Sequence, residues 1–347
     1  MDPADGVLAG AVLSERDREI AELWRRCVEQ RDDDDARGVL ADLLQAASDA
    51  RGELMALQLL PADPDNAPAR RARIRELIAE YSHVWLGPLR EYASGASFER
   101  GMVKRLELVA TQPVAVLDDR ELWSVEELLV GGPMGLPSYN DAIPTLRRLL
   151  ASPAARSVRR LEVVDPTQLD IIAECSQPLV HLAYLQGFDA TNAPLTNRFM
   201  SIVEERDTIV SVAVWADGLA ELRRRAWFDR LEHVTLACSM RRGLALWREI
   251  PSHMSLAIAT TPSLDTCERA FPGDCRLELR RDGTARVSGE WLLQSLAVLD
   301  ALPADITRLE LEDTSEPIVE RIRVALGARR EIVLRGLIGR AGNVRWK

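Results

Sequence analysis

Val103-Lys-Arg-Leu-Glu-Leu108, Val158-Arg-Arg-Leu-Glu-Val163 and Ile306-Thr-Arg-Leu-Glu-Leu311 repeat one pattern, an aliphatic residue followed at the third and fifth positions by two more. In an extended chain alternate residues face one side. The last two aliphatic residues of each run are therefore buried together, and the residue between them points the other way. The first aliphatic residue enters the core from the turn into the strand. Val125-Glu-Glu-Leu-Leu-Val130, Leu179-Val-His-Leu-Ala-Tyr184, Ile209-Val-Ser-Val-Ala-Val214 and Leu231-Glu-His-Val-Thr-Leu236 keep the same spacing. Shorter forms stand at Leu256-Ala-Ile258, Leu277-Glu-Leu279 and Ile332-Val-Leu334. Successive starts lie about 20 to 35 residues apart, a period of stacked repeats.

Between these runs the apolar spacing becomes helical, at Ile143–Leu150, Phe199–Glu205, Leu219–Phe228, Trp291–Leu302 and Ile318–Leu326. Alternation of strand and helix favours a parallel sheet with the helices outside. One such unit cannot cover its own apolar face, so neighbours stack into a continuous core. The expectation for residues 101–347 is an irregular leucine-rich-repeat-like α/β solenoid. It is irregular because the position that holds Asn or Cys in a regular leucine-rich repeat holds Thr111, Pro133, Pro166, Gly187, Asp217, Ser239 and Thr314. The asparagine ladder that would satisfy loop backbone groups is missing. Asp282-Gly283 between two extended runs is a hairpin signal and predicts a local antiparallel excursion.

Residues 1–100 read as helices. Ser14 with Asp17 three residues on forms a capping-box pattern, followed by Ile20, Leu23, Trp24 and Cys27 at helical spacing. The acidic run Asp32–Asp35 suits the start of a second helix, marked by Val39, Leu40, Leu43 and Leu44. Leu54, Leu57 and Leu60 mark a third. Ile74, Leu77 and Ile78 mark a fourth, beyond Pro61, Pro64 and Pro68. The segments Arg37-Gly-Val-Leu-Ala-Asp-Leu-Leu44 and Asp49-Ala-Arg-Gly-Glu-Leu-Met-Ala-Leu-Gln58 together resemble the bacterial repeat-companion domain. Trp85-Leu-Gly-Pro-Leu89 and Phe98-Glu-Arg-Gly101 match the tail of that domain. The resemblance spans roughly residues 20–105 and departs at Leu43, where the family often has Trp, and at Ser48, where it has Gly. It implies no activity. It does imply leucine-rich-like repeats downstream.

Composition narrows the function classes. The 347 residues carry a net charge of −10 and are 47% hydrophobic but only 5% aromatic, which suits an aliphatic repeat core. Nucleic-acid binding needs a concentrated basic surface, whereas the arginine clusters 70–71, 223–225 and 241–242 are scattered among acids. Cys27, Cys175, Cys238, Cys267 and Cys275 are odd in number and form no CxxC, so neither a disulfide framework nor a zinc site is expected. Met1–Ser14 lacks the basic start of a secretory signal, and no apolar run is long enough to span a membrane. A cytoplasmic protein with no cofactor, metal, membrane or nucleic-acid partner is the expectation.

The residue between the paired aliphatics, with its flanking partners, lines the concave face of such an array. Charged positions come first, at Arg105, Glu107, Arg160 and Glu162, and again last, at Arg276, Glu278, Arg280, Arg308, Glu310, Glu312, Glu331 and Arg335. The middle is small and neutral: His181, Ala183, Ser211, Ala213, Trp215, His233, Thr235, Ser255 and Ala257. Trp is enriched at binding hot spots, so the central patch around Trp215 is the expected working surface, with Arg276, Glu278, Arg280, Arg308 and Glu310 as further candidates. Cross-strand ion pairs are the plain reading of the charged ends. His181 and His233 fall two strands apart, about 10 Å, too far to share a zinc ion. Cys238 and His233 point to opposite faces. Gly131-Gly-Pro-Met-Gly135 reads as a turn, and no GxSxG, HExxH or Walker-type motif occurs. The leading expectation is a non-catalytic module that binds another protein through its concave face. Two other classes stay open: an acidic inhibitor or immunity-type regulator of a toxin or effector, and a substrate or sensor of a protease-linked defence or signalling system.

Overall fold

The computed structural model describes residues 14–61, 67–108, 120–130, 142–163, 168–184, 193–260, 275–288, 299, 301–312, 316–326, 330–335 and 344–345. Ser14 opens the first helix, α1 (Glu15–Glu29), with the expected capping box: its Oγ accepts from the Asp17 N–H and the Asp17 carboxylate accepts from the Ser14 N–H. Asp33 caps α2 (Asp34–Ala46) by accepting from the Ala36 N–H. Asp49 caps α3 (Ala50–Leu59), and α4 (Ala67–Trp85) follows. Leu40, Leu44, Leu54, Ile74, Leu77 and Ile78 are buried, but Val39 lies on the solvent side of α2.

Among the described residues thirteen strands form one sheet, in the order β12-β11-β10-β9-β8-β7-β6-β5-β4-β3-β2-β1-β13. The strands β1 (Ala93–Glu99) and β2 (Met102–Leu108) make an antiparallel hairpin turned by Arg100 and Gly101, which have φ 50 and 76. The expected junction at residues 100–101 therefore falls inside a hairpin, and the sheet starts earlier than the aliphatic repeats do. From β2 through β3 (Glu127–Val130), β4 (Arg160–Val163), β5 (His181–Tyr184), β6 (Ser211–Trp215), β7 (His233–Ala237) and β8 (Ser255–Thr260) every neighbouring pair is parallel. The hairpin signal at Asp282-Gly283 is realised: β9 (Cys275–Leu279) and β10 (Thr284–Ser288) pair antiparallel, with Gly283 at φ 81. Because β9 also runs antiparallel to β8, one reversed strand is inserted, and β10, β11 (Arg308–Glu312) and β12 (Glu331–Arg335) resume parallel pairing. The two-residue β13 (Val344–Arg345) adds antiparallel to β1.

The aliphatic pattern is buried as its spacing requires. Val103, Leu106 and Leu108, then Ile209, Val212 and Val214, then Leu231, Val234 and Leu236, then Ile306, Leu309 and Leu311 all lie in the main core. The helices α5 (Ala142–Ala151), α6 (Gln168–Glu174), α7 (Ala193–Glu205), α8 (Leu219–Leu222), α9 (Met240–Leu246) and α10 (Glu316–Leu326) occupy connections between strands. The expected helix Leu219–Phe228 shrinks to the single turn of α8 plus a 3-10 turn at Phe228–Arg230. Its connection is much shorter than that carrying α7, and three successive arginines follow α8. The expected helix Trp291–Leu302 lies mostly outside the described residues, as does the glycine turn 131–135.

Helices α3 and α4 share the main core with the sheet, while the buried residues of α1 and α2 form a second cluster with Met55 and Met102. Leu54, Ile74, Leu77, Ile78 and Trp85 belong to the same buried cluster as the strand residues out to Leu311 and the α10 residues Val319 and Ile322. Helix α3 fastens the β1–β2 hairpin directly: Gln58 Nε2 donates to the Phe98 carbonyl at 3.0 Å, and the Gly101 N–H donates to Gln58 Oε1 at 2.6 Å. Arg51 Nε donates to the Gly101 carbonyl at 2.7 Å, and its two Nη atoms donate to both oxygens of Glu121 at 2.8 and 2.6 Å. Arg51 and Glu121 are both almost fully buried, and the guanidinium lies 4.5 Å over the Trp24 ring. The stretch from Arg51 to Gln58 thus supplies the contacts that seat the helices on the sheet.

Arginines take up carbonyls left open where the helices end. Helix C-termini leave carbonyls without intrahelical partners, and a cation there is favoured by the helix dipole. Arg206 donates to the Ile172, Ala173, Cys175 and Gln177 carbonyls at the end of α6. Arg230 donates to the Val203 and Arg206 carbonyls after α7. Arg330 donates to the Leu299 and Leu302 carbonyls at 3.0 Å each. Arg281 reaches the Trp247 and Pro251 carbonyls with its guanidinium 3.6 Å over the Trp247 ring. In each case the arginine comes from the unit after the one whose carbonyls it takes. Lys104 and Lys347 are the only lysines among the chain's 44 basic residues; the planar, five-donor guanidinium suits this forked capping and an ammonium does not.

Candidate functional site

Two rows of side chains cross the sheet on the face opposite the aliphatic core. In the first, Arg105, Glu127 and Arg160 stand in register on β2, β3 and β4, continuing as His181, Ser211, His233 and Ser255 on β5 to β8. In the second, Glu107, Leu129 and Glu162 lead to Ala183, Ala213, Thr235 and Ala257. That row runs on through Glu278, Arg286 and Glu310 to Val333. The reversed strand β9 does not break the rows, because pleat alternation is independent of strand direction: Leu277 and Leu279 still enter the core.

The middle of the face is a polar ladder. His181 Nδ1 lies 2.7 Å from Ser211 Oγ, and His233 Nδ1 lies 2.6 Å from Ser255 Oγ. His233 Nε2 is 3.1 Å from Thr235 Oγ1, and Ser255 Oγ donates to the Glu232 carbonyl at 3.3 Å. His233 thus bonds Ser255 on β8 and Thr235 on its own strand, and which ring nitrogen donates depends on its tautomer. Ser211, Ala213 and Thr235 are buried, as is Glu310 at 2% exposure. These four candidate contact positions are thus covered in the free chain. Ser211 and Thr235 are held in hydrogen bonds to the histidines, and Glu310 is paired with Arg286 and Arg308. His181, Trp215 and His233 remain partly exposed. Trp215 stands in register with Ala237, next to Ala259 on β8, and both alanines are buried.

The charged ends form ion pairs, some across strands as the plain reading expected and others between residues two apart on one strand. Arg105 Nη2 lies 3.3 Å from Glu107 and 3.5 Å from Glu162, reaching over the intervening strand. Arg160 is 3.8 Å from Glu127. Burial pushes the Glu162 carboxyl above its usual range, against the pull of Arg105 and with repulsion from Glu107 and Glu127. Burial also works to lower Arg105, but the carboxylates of Glu162, Glu107 and Glu127 outweigh it and the guanidinium titrates higher than usual. At the other end Arg280 is 2.8 Å from Glu278, and Arg308 lies 3.7 Å from Glu310 and 4.0 Å from Glu331. Arg276 stands in register with Ala259 and Ser288, while the side chains of Arg276, Glu312 and Arg335 lie outside the described residues. Arg286 and Glu127 were missed in the sequence; alternation after Asp282-Gly283 marks Arg286 once the hairpin is accepted.

Cys238 is buried in the core, away from the His233 row. Burial, partly offset by Arg242, pushes its thiol up to about 11, so it is a poor nucleophile at neutral pH. Among the described residues no group of three or more His, Cys, Asp or Glu is placed to hold a metal ion, and no helix is long and apolar enough to cross a membrane. The chain matches no protein-family model, no curated protein and no solved structure.

Proposed function

We propose that this chain is a non-catalytic protein-interaction module, a leucine-rich-repeat-like solenoid whose concave face binds another protein, with a repeat-companion-like helical unit at its N-terminal end. One observation carries the reading: polar side chains stand in register on seven successive strands, from Arg105 on β2 to Ser255 on β8. Regular strand spacing, about 4.8 Å, turns such a row into an extended set of contact points, the use that repeat arrays make of their sheets. Partner contacts fall to the partly exposed His181, Trp215 and His233, with the buried Ser211, Thr235 and Glu310 orienting the groups above them.

Site-specific photo-crosslinking tests this. A photoreactive residue at position 215 should capture one defined partner in the source cell, and the same residue at position 224, on the exposed turn after α8, should not. Trp215→Ala should lower recovery of that partner by about tenfold, the scale of a single hot-spot aromatic. Equal capture at both positions would sink the concave-face reading.

A further inference from the structure

The last strand of the chain joins the first. In the pairing of β13 with β1, Val344 lies opposite Ala96 and Arg345 opposite Gly95. At the other edge of the sheet stands β12, which ends at Arg335. Val344 follows Arg335 by only nine residues. Nine residues reach at most about 32 Å when fully extended. Yet β12 and β13 are the outermost of the thirteen strands. At about 4.8 Å per step, a flat sheet would hold them about 58 Å apart. The chain cannot cover that distance, so the sheet is bent. An even arc of that length across that gap turns through at least about 200°, on a radius of at most about 16 Å.

Packing sets the direction of the bend. Packed helices lie about 8–10 Å apart, about twice the spacing of strands. A unit of strand plus helix is thus wider on its helix side, and the sheet curls away from α5, α6, α7, α9 and α10. The rows that start at Arg105 and Glu107 then lie on the inside. Strand β1 is a firm seat for the closing strand. It is matched with β2 from Ala93 to Glu99, and Gln58 holds its Phe98 carbonyl. The weak joint is β13 itself. It is matched over two residues, whereas every other neighbouring pair of described strands is matched over four or more. A stretch with so few shared backbone bonds opens locally before the rest of the sheet does.

We infer that β13 is a releasable clasp: paired with β1 it ties the two ends of the sheet together and holds the array as a tightly curved open ring, and on release the ring widens. The clasp uses none of the partner-contact residues, so its failure would leave the concave-face reading untouched. Pulsed electron-spin distance measurement on the full chain tests it. The spin labels are carried by unnatural amino acids in place of Val84 on α4 and Val324 on α10, which are 61% and 75% exposed. Antiparallel partners alternate between hydrogen-bonded and non-hydrogen-bonded pairs, so one of Val344 and Arg345 donates to β1. Val344→Pro combined with Arg345→Pro removes that donor whichever it is. The label distance should then lengthen by about 10 Å, about two strand spacings, with a broader distribution. Amide exchange should quicken at Gly95 or Ala96, while the far-UV circular dichroism stays as it was. Val344→Ala combined with Arg345→Ala keeps both N–H groups and should leave the distance unchanged. An unchanged distance or unchanged exchange in the proline variant, equal lengthening in the alanine variant, or collapse of the far-UV signal would overturn the clasp, since a clasp opens without unfolding the sheet it closes.

Discussion

Ser48 ends α2 with φ 60. The Asp49 N–H donates to the Leu44 carbonyl and the Ser48 N–H to the Gln45 carbonyl, the two bonds of a Schellman cap with Ser48 at its left-handed position. Glycine fills such a position without steric cost, whereas other L-residues lose about 1–2 kcal/mol there. Ser48→Gly should stabilise the protein by about 1 kcal/mol once the larger entropy loss of glycine is set against the relieved strain. A shift of the urea midpoint upward at unchanged slope would show it; a lower midpoint would mean the cap is not strained. Gly52, four residues on, is the converse case. A Cβ there would lie 2.5 Å from the Gln45 nitrogen and 2.6 Å from the Ala41 carbonyl oxygen, so close crossing of α2 and α3 demands glycine.

At the scale of elements, each strand and the helix before it are coupled to their neighbours by more than apolar contact. The arginine takes the orphan carbonyls of the helix one unit upstream, as Arg206, just after α7, does for α6. Removing it exposes several carbonyls in a half-buried turn. Arg206→Ala should cost about 2 kcal/mol, the scale of hydrogen bonds to a charged group. In hydrogen exchange the loss should appear first at the amides of α6 and the turn through Gln177, one unit upstream of the substitution. Faster exchange confined to α7 and β6 would contradict the capping role. None of this was legible in the sequence, where Arg206 is one arginine among many. What was legible was the strand itself: Ile209, Val212 and Val214 carry the spacing, and all three are fully buried. Strand β1 escaped because Ala93–Glu99 has no aliphatic alternation; the hairpin turn and the contacts from Gln58 hold it in the sheet.

For the whole molecule, the decisive contact is the Arg51–Glu121 pair. It joins α3 to the turn before β3, and it lies inside an apolar cluster that runs from the helices through the sheet. Glu121→Ala would leave a buried guanidinium without its carboxylate, a loss of about 3–5 kcal/mol. Because α3 and α4 share the main core with the sheet and the pair also touches Trp24 of the second cluster, helices and sheet should lose stability together. Tryptophan fluorescence and far-UV circular dichroism should report coincident midpoints, both lowered. Two separated transitions would show instead that the helices are held independently. Replacing both partners by apolar residues of similar size should restore much of the loss.

The sequence by itself determined which residues face the core, where the chain turns at Asp282-Gly283, and which positions can share the opposite face, because these follow from a local period of two and from backbone geometry. It placed Ser211, Thr235 and Glu310 on the right face. Only the tertiary structure decided that they lie beneath His181, His233 and the arginines. Only it brought Val344 and Arg345 of β13 beside β1. Depth within a sheet face, and meetings between distant segments, depend on register and on how the helices seat against the first strands. No local pattern encodes those distances.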